Sequence, residues 1–265
     1  MGVFYETIPS SLVPWIHAQE MLFVGTAPLS ATGHINISPK GGKQFGVLDE
    51  KTFWYMDLTG SGVETHAHLY EQGNGRIVVM FISLTGAPRI LRIYGTGQVL
   101  ENETEPYTAF ITKHAIKTKP GSRSIIIINV NQCSTSCGFS VPLYDFVSHR
   151  MTLDDFFRKK EERYRKGELA ESIDRYWAAK SSWSVDGLMG MKRGFEVGRR
   201  EGIRPIAKMV GACAQRGNGG REGLWGREMV RVVMVLFLGM VLGGVVVAGI
   251  LEPERLTVLG MPGLR

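Results

Sequence analysis

Residues 52–71, TFWYMDLTGSGVETHAHLYE, join an aromatic run to a Thr-Gly-Ser-Gly turn and then to a string of helix formers. The first part reads as a strand, the glycines break it, and the last part, with no β-branched run, reads as a helix. Small residues at such a junction leave backbone N–H groups bare where the helix dipole is positive, a setting that suits an anion. Thr59, Ser61 and Thr65 would add hydroxyl groups to that grip. The same residues also fit a plain capped helix, with Thr59 or Ser61 as N-cap and Glu64 in a capping box. A metal site is not expected, because on a helix His66 and His68 point about 200° apart.

Outward from this junction the chain continues in short β-type runs separated by glycine and polar turns. They cover residues 21–27, 34–38, 44–48, 76–83, 89–100 and 124–130. Their close spacing, with few helical inserts, predicts an antiparallel barrel rather than a parallel sheet. In 89–100 both alternating sides mix apolar and polar residues, so periodicity does not orient that strand. Helices are predicted after Ser10 or Ser11, from Thr104 as cap over 104–114, and over 152–180 behind a Thr152/Asp155 capping pair.

The net charge of +6 is concentrated: residues 192–231 hold ten Lys/Arg against four Glu, and the remainder is neutral. That basic connector carries only Phe195 and Trp225 as aromatics for base stacking, so no nucleic-acid partner is expected. Three cysteines are too few for a disulfide scaffold and fit a reducing compartment. The N-terminal residues show no basic region followed by an apolar core, so a secretory leader is not expected.

Residues 232–251, VVMVLFLGMVLGGVVVAGIL, are apolar on every helical face and match a hydrocarbon core of roughly 30 Å. They predict a C-terminal transmembrane helix. Arg216, Arg221, Arg227 and Arg231 precede it and Arg255 alone follows closely, which orients the N-terminal part toward the cytosol. The expected organisation is a folded domain over 1–190, a basic flexible spacer over 191–231, the span at 232–251 and a short tail at 252–265.

A second basic cluster stands before the junction. NISPKGGKQF, 36–45, places Ser38, Lys40 and Lys43 around two glycines, and Arg89 and Arg92 lie on a later strand. Taken in order, FWYMDLTGSGVETHAHL, GRIVVMF and RILRIYGTGQVL resemble the pyridoxamine 5′-phosphate oxidase-like group of FMN-binding split barrels. SCGFSVPLYDF and HRMTLDDFF, which follow, are similar to an uncharacterised branch of that group, so the resemblance covers roughly residues 10–190.

The resemblance implies an α+β fold: a six-stranded antiparallel split β-barrel with flanking helices, forming a homodimer that holds FMN at the subunit interface. It further implies that Ser38, Lys40, Thr59, Ser61 and Thr65 grip the FMN phosphate, that Tyr55 and Met56 lie along the flavin, and that Arg89 stands near ring or phosphate. Ser61-Gly62-Val63 stands where the vitamin oxidases of this group have a Ser-Arg-Lys type turn, and their C-terminal substrate-gripping motif is missing. The expected activity is therefore FMN-dependent oxidoreduction of an unknown small molecule rather than pyridoxamine phosphate oxidation. The alternative is a non-enzymatic flavin- or haem-binding module at a membrane. No catalytic residue is assigned, since FMN itself would carry the chemistry.

Overall fold

The structure is a computed structural model and describes residues 2–208. The expected span at 232–251, its tail and most of the spacer lie outside the described residues; among the described residues no helix is long and apolar enough to cross a membrane. Among the described residues there are eight strands: β1 (Val3–Tyr5), β2 (Met21–Thr26), β3 (Asn36–Gly41), β4 (Phe45–Asp49), β5 (Thr52–Leu58), β6 (Arg76–Ile82), β7 (Ile90–Glu101) and β8 (Ser122–Ser136). Six helices accompany them: α1 (Val13–Ala18), α2 (Glu64–Tyr70), α3 (Glu105–Lys113), α4 (Thr152–Arg165), α5 (Ile173–Lys180) and α6 (Lys192–Glu201).

The strands form one antiparallel sheet in the order β3-β2-β6-β7-β8-β5-β4, with β1 paired to β8. The two ends of that path are neighbours in sequence. Only residues 42–44 separate β3 from β4, and Gly42 and Lys43 take left-handed φ values of 89° and 54° to make the turn. This short link forces the sheet to curl into a half-barrel. The expected antiparallel barrel class is therefore present, with eight strands among the described residues in place of the six the resemblance implies; β1 is the strand with no counterpart among the β-type runs of the sequence.

Inward side chains fill the barrel. Leu22, Val24, Phe53, Val79, Phe81, Leu91, Ile93, Ile126 and Ile128 are all fully buried there. Burial supplies the orientation of β7 that periodicity leaves open: Leu91 and Ile93 face in, while Ile90, Arg92 and Tyr94 are half-buried on the other side. The run Ile125–Ile128 is apolar at every position because β8 is covered on both faces. Ile126 and Ile128 meet the barrel core, whereas Ile125 packs with Met56, Leu100 and Tyr107 beneath α3.

The helices differ from expectation in five places. Neither Ser10 nor Ser11 caps α1, whose N-cap is Leu12, and neither Thr59 nor Ser61 caps α2, whose N-cap Val63 makes no side-chain cap bond. Thr104 caps α3 as predicted, its hydroxyl accepting the Tyr107 N–H at 3.4 Å. Thr152 instead sits inside α4, whose N-cap Met151 makes no side-chain cap bond. The helix expected to reach residue 180 stops at Arg165, because Gly167 turns the chain at φ 97° and Ser172 starts α5 by accepting the Asp174 N–H. Finally, residues 192–201, read as spacer, form α6. Its first N–H groups, on Lys192 and Arg193, are taken by the buried Glu101 carboxylate at 2.7 and 3.0 Å.

Candidate functional site

The strand-turn-helix junction is built over a buried carboxylate that sequence reasoning missed. Asp57 ends the inward row Phe53, Tyr55, Asp57 on β5 and is fully buried. Its Oδ1 accepts from Lys40 Nζ of β3 at 2.5 Å and its Oδ2 from Arg123 Nε of β8 at 2.7 Å. Arg123 also donates Nη1 to the Gly62 carbonyl at 2.8 Å, which fastens the turn to β8. Burial alone would raise the Asp57 pKa, but Arg123, Lys40 and His66 overcome it and hold the carboxyl far below its ordinary value.

His66 of α2 stands beside this group. Its Nε2 lies 2.9 Å from Ser124 Oγ, and its buried Nδ1 has no hydrogen-bond partner among the described residues. Burial first, then the charge of Arg123, push its pKa down to about 3, with Asp57 opposing and Lys40 adding to the fall. The 3.5 Å approach of Nδ1 to Asp57 Oδ2 is thus a neutral ring beside a carboxylate rather than an ion pair. Tyr55 has its hydroxyl buried and unpartnered, and burial followed by the Asp57 charge raises its pKa well above the ordinary value.

Beside the Asp57 group, one face of β3 forms a polar seam. Ser38 Oγ donates to Asn36 Oδ1 at 3.1 Å, and Asn36 Nδ2 donates to Thr65 Oγ1 at 3.1 Å and Thr26 Oγ1 at 3.3 Å. Thr26 Oγ1 also lies 2.9 Å from His68 Nδ1. The two histidines of α2 accordingly bond to different strands, β8 and β2.

Above the junction lies the segment around α5. Trp177 Nε1 donates to Thr59 Oγ1 at 2.9 Å, Thr59 Oγ1 donates to the Gly121 carbonyl at 2.6 Å, and Ser181 Oγ donates to the Gly60 carbonyl at 3.3 Å. Trp177 and Met191 pack on Val63. Gly190 touches Val63 so closely that a Cβ there would lie 2.6 Å from its Cγ1.

The residues expected to hold FMN are therefore separated. Ser38, Lys40 and Ser61 remain accessible in part: Lys40 keeps 20% of its side chain exposed, Ser61 is exposed, and a Cβ at Gly60 would meet open space. Thr59 and Thr65 are buried with their hydroxyls already engaged. Tyr55 and Met56 point to opposite faces of β5 and are both buried, Tyr55 in the barrel and Met56 under α3, so neither side chain offers a surface to a flat ring. Arg89 immediately precedes β7, at the end of that strand opposite Glu101, and its guanidinium stacks over Trp15 at 5.5 Å. Of the residues expected at the phosphate, Ser38, Lys40 and Ser61 thus keep some exposure, while Thr59 and Thr65 are engaged and Arg89 lies against Trp15; the Glu64 carboxylate stands over Gly62, 2.7 Å from where a Cβ there would sit.

No family model matches the sequence. The chain is 37% identical over 203 residues to the pyridoxamine 5′-phosphate oxidase family protein ustO of Aspergillus flavus, a match covering 72% of this chain and 78% of that protein. Among solved structures, the group A Streptococcus protein HupZ matches with 22% identity and a TM-score of 0.36, covering 46% of this chain and 90% of its own. An FMN-binding protein of Syntrophomonas wolfei matches with 15% identity and a TM-score of 0.33, covering 46% and 80%.

Proposed function

The chain belongs to the pyridoxamine 5′-phosphate oxidase family, and on that premise we propose that it is an FMN-dependent oxidoreductase acting on a small molecule. The observation that carries this reading is the turn at Gly60 and Ser61, where a Cβ at Gly60 would meet open space among the described residues, together with Lys40, held by Asp57 yet 20% exposed; the Glu64 carboxylate closes the Gly62 side of the turn, 2.7 Å from where a Cβ there would sit. Lys40, Ser38 and Ser61 would hold the phosphate, with the turn's backbone N–H groups. Bound FMN would supply the electron exchange. The chain's own part is to fix Lys40 through Asp57, to tie the turn to β8 through Arg123, and to shield the turn's inner side with Trp177.

The purified full-length protein is expected to be yellow. Replacing Lys40 by Met should weaken FMN binding about 10- to 100-fold, the loss of one charge-assisted contact, read as quenching of flavin fluorescence. A colourless protein that ignores added FMN overturns the proposal. A flavin that binds but is reduced by neither NADH nor NADPH supports the non-enzymatic module instead.

A homodimer with FMN between the subunits belongs to the same proposal. So does attachment to a membrane through residues 232–251, with the N-terminal domain in the cytosol, which the uncharged apolar run and the arginines before it support. The full-length chain is then expected to stay with membranes after carbonate washing and to be released by detergent; release by carbonate alone refutes the anchor.

A further inference from the structure

Asp186 and His34 are 152 residues apart in the chain, and the carboxylate grips the histidine twice. Oδ2 accepts the His34 backbone N–H at 2.8 Å, and Oδ1 lies 2.6 Å from ring Nδ1. A carboxylate accepts and does not donate, so the proton of a neutral ring sits on Nδ1 and the lone pair is left on Nε2. The imidazole is 63% exposed while the carboxylate that orients it is only 15% exposed. A sheltered acid holding an exposed ring by its inner nitrogen is the arrangement that makes an imidazole an effective proton acceptor.

Both sides of the pair are fixed by packing. Asp186 sits in a tight turn between Trp183 and Met189, which form a β-bridge. Ser184 closes the turn: its N–H reaches the Leu188 carbonyl at 2.9 Å, and its hydroxyl accepts the Leu188 N–H at 3.0 Å. The neighbouring Val185 N–H is tied to Glu64 of α2 at 3.3 Å. On the other side, a Cβ at Gly33 would overlap the Pro28 ring and lie 3.2 Å from Asp186 Oδ2, so only glycine lets the loop come this close. Close to the pair is fully buried His68, whose Nε2 has no hydrogen-bond partner among the described residues; burial lowers its pKa, against the opposing charges of Asp186, Glu64 and Glu71.

The pair precedes the polar seam in the chain: Asn36, Ser38 and Lys40 alternate along β3, and His34 lies two residues before Asn36, the first residue of that strand. We propose that His34 and Asp186 form an acid–base dyad that serves a ligand with an ionisable O–H or N–H group bound along this seam. The ligand's proton passes to His34 Nε2, its electron pair stays on the ligand oxygen or nitrogen, and Asp186 stabilises the resulting imidazolium. No oxidation is involved, and the dyad stands independently of the flavin reading.

The test uses the full-length chain and p-nitrophenyl acetate as probe, in whose hydrolysis the base takes the proton of the attacking water. Hydrolysis by the wild type is expected to exceed that by His34→Gln by about 100-fold, and Asp186→Asn should lose on the order of 10-fold or more. Long-range proton–nitrogen spectra should place the His34 proton on Nδ1 in the wild type. Equal hydrolysis by wild type and His34→Gln overturns the dyad, and so does a lone pair found on Nδ1. If both variants melt at lower temperature while their rates stay at the wild-type level, the pair is a latch between loop and barrel and the proposal falls. A colourless protein would sink the flavin reading and leave these measurements intact.

Discussion

Replacing Asp57 by Ala is expected to destabilise the fold by about 3–5 kcal/mol, the usual consequence of removing one partner from a buried ion pair. Arg123 is itself buried, and among the described residues Asp57 is the partner of its Nε. Without the carboxylate a guanidinium stays in the protein interior with its charge uncompensated, next to a histidine that is neutral and offers no countercharge. Against a total stability of about 5–15 kcal/mol the loss removes a large part of the margin. Lys40→Ala should cost far less, about 1 kcal/mol, because that ammonium group is partly exposed and Asp57 keeps Arg123. Urea unfolding followed by fluorescence compares the two. If Asp57→Ala costs no more than Lys40→Ala, the carboxylate is not what holds β3, β5 and β8 together at this end.

The strands were legible because their apolar runs are bounded by glycine and polar turns, and the junction at 58–64 was legible because small residues interrupt an aromatic run before a helix. What could not be seen was the burial of charge. Asp57 looks like an ordinary polar residue ending a strand, and Arg123 looks like a surface residue starting one. Their partnership spans 66 residues and depends on β5 pairing with β8, a register no local pattern shows. A faint signal existed: Asp57 shares the alternation of Phe53 and Tyr55, so a charge was due on the inward face. The burial of Tyr55 and Met56 is hidden for the opposite reason, since the sequence does not show that α3 covers one face of β5 and the barrel core the other.

Residues beyond 170 carry the same lesson in another form. The charged stretch 152–180 reads as one long helix with a solvated face, and 192–201 reads as connector because glycine and arginine dominate it. Both readings miss tertiary contacts that short-range pattern cannot encode. Trp177 is buried against Val63 and bonded to Thr59 across 118 residues, and α6 gains its N-terminal partner from Glu101, 91 residues away. The junction that opens the site is therefore completed by the part of the chain whose sequence looks least structured, so the turn and the α5–α6 segment should gain or lose order together.

Between pH 7 and pH 5 the protein is expected to lose about 2 kcal/mol of stability through His66 alone. The folded ring is held neutral, with its pKa lowered to about 3 by burial and then by Arg123, whereas in the unfolded chain it titrates near 6.5. Below pH 6.5 the unfolded state binds a proton that the folded state refuses, so stability falls as pH falls, and the fall ends only once the pH passes the folded value. At pH 5 the gap is about 1.5 pH units at roughly 1.4 kcal/mol each. Asp57 does not interfere in this window: its folded pKa is depressed, so its contribution is complete above the ordinary carboxylate range and fades only under stronger acid. His68 is lowered in the same direction by burial and remains in both proteins compared. His66→Gln, measured by urea unfolding at pH 7, 6 and 5, should therefore show an acid loss smaller than the wild type's by about 2 kcal/mol. Parallel curves for the two proteins would mean that the buried imidazole accepts a proton in the fold, and that Asp57 carries three cationic partners instead of two.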